Sequence, residues 1–94
     1  MTEVTNLTTL TVFRFIREYR KKNKGLSPSQ REIAKGTFIA TTTMLNHLSK
    51  LEAYGWITRE FNIPRSIRIG DNAPDEEVFA RLWQAAQATE EEQG

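Results

Sequence analysis

Thr41, Thr42, Thr43, Asn46, Ser49 and Lys50 crowd into ten residues, and together they are short hydroxyls, one primary amide and one positive tip. Groups of that kind hydrogen-bond base edges and phosphate oxygens, and an asparagine amide can hold adenine through two hydrogen bonds at once. Other chemistries are thinly supplied. Without cysteine there is no disulfide, thiolate metal site or thiol nucleophile. His47 is the single histidine and has no second His or Cys with which to share a metal or a proton, so its expected role is packing or hydrogen bonding at a helix surface. No paired carboxylates, Gly-rich phosphate loop or nucleophile with a base partner stands out, so no enzyme activity, cofactor or metal is expected.

For the polar set to act together it must share one face of a helix. Met44, Leu48 and Leu51 recur at i, i+4 and i+7, an apolar stripe that predicts a helix over about Thr41–Tyr54, stopped before Gly55. The polar side chains lie on its other face. Upstream, Ser29 followed three residues later by Glu32 is a capping box that starts a short helix, broken by Gly36 and Thr37. Two helices joined by a few residues make a helix-turn-helix. One of the three threonines is expected to cap the later helix and the others to touch phosphate or base.

Around this unit the rest of the chain supplies a frame. Val12, Phe13 and Ile16, widened by Leu10, Phe15 and Tyr19, predict a helix over about Thr9–Asn23 that Gly25 closes. Arg17, Arg20, Lys21, Lys22 and Lys24 complement the negative end of its dipole. Leu26-Ser27-Pro28 is a short extended connection, since the residue before proline is pushed out of the helical region. After Gly55 the period changes: residues 56–61 and 66–69 carry strand signals around a turn at 62–65 with Arg65 at a basic tip. A hairpin directly after a recognition helix is a wing. Ile67 and Ile69 are expected to face the core, with Ser66 and Arg68 facing out. Phe13, Phe38, Trp56 and Phe61 are all expected in the core.

The chain has 94 residues, which allows one modest core burying about 65% of the unfolded surface. Its net charge of +1 conceals an asymmetry: residues 1–70 hold 12 Lys/Arg against 5 Asp/Glu, and residues 71–94 hold 1 against 7. A domain of +7 therefore carries a tail of −6. The division expected is a winged helix-turn-helix domain over 1–70 and an acidic C-terminal helix and tail over 71–94. No apolar run approaches the length that spans a bilayer, and Met1–Asn6 is neither basic nor followed by a long apolar core, so a cytoplasmic protein with no membrane contact is expected.

Four segments in order, Pro-Ser-Gln-Arg-Glu-Ile-Ala at 28–34, His-Leu-Ser-Lys-Leu-Glu at 47–52, Gly-Trp-Ile at 55–57 and Pro-Arg-Ser-Ile-Arg-Ile at 64–69, resemble the N-terminal DNA-binding domain of LexA-type repressors. The resemblance covers roughly Leu7–Gly70. It implies a fold that is mainly α with a small β-hairpin: a winged helix-turn-helix of three helices plus wing, here followed by an additional C-terminal helix. It also implies base reading by Thr42, Thr43, Leu45 and Asn46 and a basic wing around Arg65. With the polar face, the DNA-binding residues expected are Ser29, Thr41, Thr42, Thr43, Leu45, Asn46, Ser49, Lys50 and Arg65. The segment between Ala34 and Phe38 looks one residue shorter than the family's usual helix and turn. That family's self-cleaving C-terminal domain, with its Ala-Gly site and Ser/Lys dyad, has no counterpart in these residues, so self-cleavage is not implied. A natural stand-alone protein and a piece of a longer one both fit.

The function expected is that of a sequence-specific double-stranded-DNA-binding transcriptional regulator, repressor-like, with the helix in a major groove and the wing on the flanking backbone or minor groove. The alternative is a winged-helix protein-protein interaction module whose basic face is incidental. In the tail, Pro74-Asp75-Glu76-Glu77 reads as a helix start, and Val78, Phe79, Leu82, Trp83 and Ala86 form a stripe on a helix ending near Ala88. That helix is expected to mediate a homodimer, with packing onto the chain's own core as the other possibility. Glu90-Glu91-Glu92 is expected to be disordered.

Overall fold

The structure is a computed structural model that describes residues 6–93, with side chains through Ala88. Its elements in order are α1 (Leu7–Lys22), α2 (Gln30–Thr37), α3 (Thr41–Ala53), β1 (Ile57–Thr58), β2 (Arg68–Ile69) and α4 (Glu76–Gln93). The two strands are antiparallel, pairing Ile57 with Ile69 and Thr58 with Arg68. This is a winged helix-turn-helix with one added helix.

Local chemistry sets most of the boundaries. The Asn6 side chain accepts from the Thr9 N–H at 3.1 Å, so α1 begins two residues before the expected Thr9. At its other end Lys24 and Gly25 both take positive φ, and the Gly25 N–H donates to the Arg20 carbonyl at 2.7 Å. The capping box of α2 is formed as the sequence implies: the Glu32 N–H donates to Ser29 Oγ at 3.1 Å and the Ser29 N–H to Glu32 Oε1 at 2.8 Å. At the end of α3 the N–H of Gly55 reaches the Glu52 carbonyl and that of Trp56 reaches the Leu51 carbonyl, a Schellman closure with Gly55 at φ 78.

Two glycines are required by packing as well as by turns. Gly36 does not break α2; it lies inside the helix, at a place where a Cβ would meet the Phe15 ring of α1. A Cβ on Gly70 would strike the Gly55 carbonyl, at the place where the Gly70 N–H donates to the Trp56 carbonyl at 2.7 Å and closes the hairpin.

The core gathers Leu10, Phe13 and Ile16 of α1, Ile33 of α2, Met44, Leu48 and Leu51 of α3, Trp56 and Ile57, and Ile67. Phe13 stands at its centre, edge-on to Trp56 with ring centroids 5.0 Å apart and 5.8 Å from Phe79 of α4. The helix α4 is thus part of the same core, where Phe79 and Ala86 are buried and Leu82 and Trp83 partly so. Burial of a side chain such as Phe79 contributes about 1.5–3 kcal/mol. Cations of α1 finish the seam: Arg14 lies over the Trp83 ring at 4.2 Å, Arg17 over Phe79 at 4.6 Å and Phe13 at 5.3 Å, and Lys21 pairs with Glu76. Most of the apolar stripe expected to receive a second copy therefore packs on the chain's own core, with Val78 left 41% exposed.

Other expectations are corrected. Phe38 and Phe61 are not in the core but 95% and 89% exposed, each on a turn outside the regular elements. No threonine caps α3; its N-cap is Ala40, which offers no side-chain acceptor. Of Ile67 and Ile69, the two expected to face the core, only Ile67 is buried; Ile69, in a paired stretch of only two residues, is 37% exposed. Helix α4 starts after Asp75, whose carboxylate accepts from the Val78 N–H at 2.8 Å, and runs to Gln93 rather than Ala88. The backbone of Glu90-Glu91-Glu92 is consequently helical, and their side chains lie outside the described residues.

Candidate nucleic-acid interface

Helix α3 divides into two faces at the registers its stripe dictates. Met44, His47, Leu48 and Leu51 are buried, while Thr41, Thr42, Thr43, Asn46, Ser49 and Lys50 are exposed on the far side. Leu45 is half-buried at the border. His47 Nδ1 meets Thr9 Oγ1 of α1 at 2.7 Å, and burial, followed by the nearby charge of Lys50, pushes the imidazole pKa down. A neutral ring in this position ties α3 to α1 and so fixes the direction in which the polar face points. The first turn of α3 has no side-chain cap, so its N–H groups and positive dipole end are left beside Thr41–Thr43.

Helix α2 also carries cations that lie outside the set expected from the sequence. Arg31 and Lys35 are exposed, stand four residues apart on α2, and line a shallow depression with Gln30, Ala40 and Thr41. The signal was available: two cations at i and i+4, on the side of the helix away from buried Ile33. Ser29, the remaining expected contact before α3, is half-buried with its hydroxyl accepting the cap bond from Glu32.

The wing sits beside α3 across a cleft of about 640 Å³ lined by Pro28, Ser29 and Gln30 at the start of α2, Leu45 and Glu52 of α3, and residues 59–67 of the hairpin. Arg65 takes positive φ and turns back from the tip. Its guanidinium reaches Glu32 Oε1 at 2.9 Å, the Tyr19 hydroxyl at 3.2 Å and the Ser27 carbonyl at 3.1 Å. The Ser29 N–H and this guanidinium hold the Glu32 carboxyl down at a pKa of about 2. Strand β2 is anchored by the same region: the Ile67 N–H donates to buried Ser27 Oγ at 3.2 Å, and Arg20 donates to the Ile67 carbonyl at 3.0 Å. Arg59 pairs with Glu52 at 2.8 Å with both side chains partly buried. Arg68 is exposed and belongs to no ion pair among the described residues. None of these long-range partners was legible from spacing.

Among the described residues no group of three or more His, Cys, Asp or Glu is placed to hold a metal, and no helix is long and apolar enough to cross a membrane. The arrangement offers a helix with an open polar face, cations on either side of it and a rigidly seated hairpin next to it.

A family model described as the LexA DNA binding domain matches residues 1–66. The LexA repressor of Clostridium novyi (strain NT) is 44% identical over 59 residues, which are 62% of this chain and 28% of that protein. That of Bacillus licheniformis is 41% identical over 70 residues, 73% of this chain and 32% of the relative. For the LexA repressor of Caldicellulosiruptor saccharolyticus the identity is 40% over 62 residues, 65% and 30% of the two chains. The chain spans less than a third of the length of these three relatives.

Proposed function

The chain belongs to the LexA DNA-binding domain family, and from that premise we propose that it is a sequence-specific duplex-DNA-binding transcriptional regulator acting as a repressor. The observation that carries this reading is the open face of α3, where Thr42, Asn46, Ser49 and Lys50 are all exposed and free of side-chain partners among the described residues. A helix of that kind enters a major groove and reads base edges. Asn46 is the amide suited to adenine. Thr41, Thr42, Thr43, Ser49 and Lys50, with Arg31 and Lys35 of α2, supply phosphate contacts that fix the register. Leu45 at the edge of the face offers an apolar contact of the kind a thymine methyl accepts. Ser29, whose hydroxyl caps α2 and also favours the Glu32 carboxylate, is proposed to lie at the edge of the DNA contact. Arg65 acts mainly as a strut that holds the wing in place.

One such unit reads few base pairs, and two copies on two half-sites are the usual remedy. Phe79 and Ala86 of the α4 stripe are buried in the chain's own core while Val78 stays 41% exposed, so the pairing is proposed to be carried mainly by the duplex, with only the outer part of α4 left to meet a second copy.

The test is a selection of bound sequences from a random duplex library, followed by affinity measurements against salt. Neutralising about five phosphates per copy gives a log-log slope near −4.5. A slope close to zero sinks the reading. Sedimentation of the full chain with the selected duplex counts the copies, and a single copy per duplex removes the pairing while leaving DNA binding intact.

A further inference from the structure

The cleft between α3 and the hairpin joins open apolar surface to a charge that the fold leaves unanswered. Phe61 and Ile63 line it while 89% and 53% exposed, together with half-buried Leu45 of α3 and buried Pro28. Its walls are held in place. Arg65 is tied to Glu32, Tyr19 and Ser27, Arg59 is tied to Glu52, and the Ile63 N–H donates to the Glu60 carbonyl at 3.2 Å. Each of the two arginines is thus balanced by a carboxylate. Glu60 is different: it lines the same cleft and is exposed, but only its backbone is engaged, by Ser66 Oγ, and its carboxylate has no ion pair or hydrogen bond among the described residues. One negative charge therefore stands beside apolar side chains that folding leaves in water.

We propose that this cleft binds a small organic cation, an aromatic body carrying a primary amine, with the body against Phe61, Ile63 and Leu45 and the ammonium at Glu60. The volume of about 640 Å³ falls within the ~300–1,000 Å³ of small-molecule sites, which combine a mostly apolar lining with a few polar groups. Size and backbone both disfavour a peptide. A three-turn helix, about 10 Å across and about 16 Å long, displaces roughly 1,250 Å³, about twice what the cleft holds. An added strand needs a sheet edge, and the hairpin's pairing involves only Ile57, Thr58, Arg68 and Ile69, outside the cleft-lining residues 59–67. Charge selects the ligand's sign. A carboxylate or phosphate would face Glu60 with both neighbouring arginines already taken, whereas an ammonium completes a pair and is also attracted to the face of an aromatic ring such as Phe61. Nothing in this site depends on duplex binding.

The experiment uses the full chain without DNA and three probes that share an indole body: tryptamine, a cation; tryptophol, which is neutral; and indole-3-acetate, an anion. Backbone amide shifts followed by NMR give both the site and the affinity. Tryptamine is expected to bind with a Kd on the order of 1 mM, shifting Leu45, Phe61 and Ile63, about threefold tighter than tryptophol and tighter still than indole-3-acetate. Glu60→Gln, a change at an exposed side chain, should bring the tryptamine-to-tryptophol ratio to about one while leaving tryptophol binding unchanged. Phe61→Ser should weaken all three probes and keep the preference for the amine. No binding of tryptamine at ten times the expected Kd overturns the proposal, as do shifts confined to residues away from the cleft. Equal or tighter binding of indole-3-acetate, or a preference for tryptamine that survives Glu60→Gln, overturns it as well. Sedimentation that finds wild type paired and Phe61→Ser single also overturns it and gives the cleft to a second copy.

Discussion

Helix α3 and the wing flank the same cleft, yet they present opposite kinds of surface. On the far face of α3, Thr42, Asn46 and Ser49 point outward without side-chain partners among the described residues, and Lys50 stands open to solvent. On the wing the cations Arg59 and Arg65 are turned into ion pairs, and what faces outward at the tip is apolar. A count of positive residues would treat the two alike. The difference teaches that a charge contributes to a partner's binding only when its counter-ion is not already supplied by the fold, and here Glu32 and Glu52 supply it.

The comparison breaks first, and most visibly, at Asn46. If α3 alone reads sequence, Asn46→Ala will cost about 1–3 kcal/mol of discrimination at one base pair, with little change on a mixed-sequence duplex. Competition between selected and single-substituted duplexes measures it, and equal losses on all sequences would show the polar face to be misassigned.

Next in size is the contrast between an open and a paired cation. Lys50→Ala should make the salt slope shallower by about one. Arg65→Ala should change it by less than half as much, because the arginine leaves with its charge already balanced by Glu32. Equal changes in slope would mean that Arg65 abandons its ion pair on DNA.

Acid should loosen the wing's side of the comparison before it touches α3. The Glu32 carboxyl titrates at about 2 in the folded protein against 4.5 ordinarily, held there first by the Ser29 N–H and then by Arg65. A depressed folded value contributes stability that is present above the ordinary value and is lost as pH falls from about 4.5 toward 2. Thermal midpoints measured down through that window should fall more steeply for wild type than for Glu32→Gln. Parallel curves would detach Glu32 from acid stability.

The smallest effect is expected at the turn leading into α3, where Phe38 occupies the left-handed region at φ 58 while almost fully exposed. Phe38→Gly removes strain of roughly 1 kcal/mol and should raise the thermal midpoint by a few degrees. A lower midpoint would show that the ring contributes something in place that its exposure does not reveal.

Sequence by itself determined the helices, the cap of α2, the closure of α3 and the register of their faces, though not the caps of α1 and α3. The Ser29–Glu32 box, the stripe of Met44, Leu48 and Leu51, and the closure at Gly55 all depend on residues within about two turns of one another, and such spacing is written in the chain. The polar face of α3 was legible for the same reason, since whatever stands opposite a buried stripe is exposed. Tertiary structure decided the rest. Arg65 lies 33 residues from Glu32 and 46 from Tyr19, and only the docking of the hairpin against α1 and α2 brings them into reach. Phe38 and Phe61 carry the composition of a core but fall on turns that project beyond it, and helix α4 had an apolar stripe whose destination no periodicity could name. A side chain's type is a local property; its partner depends on how elements distant in sequence come together.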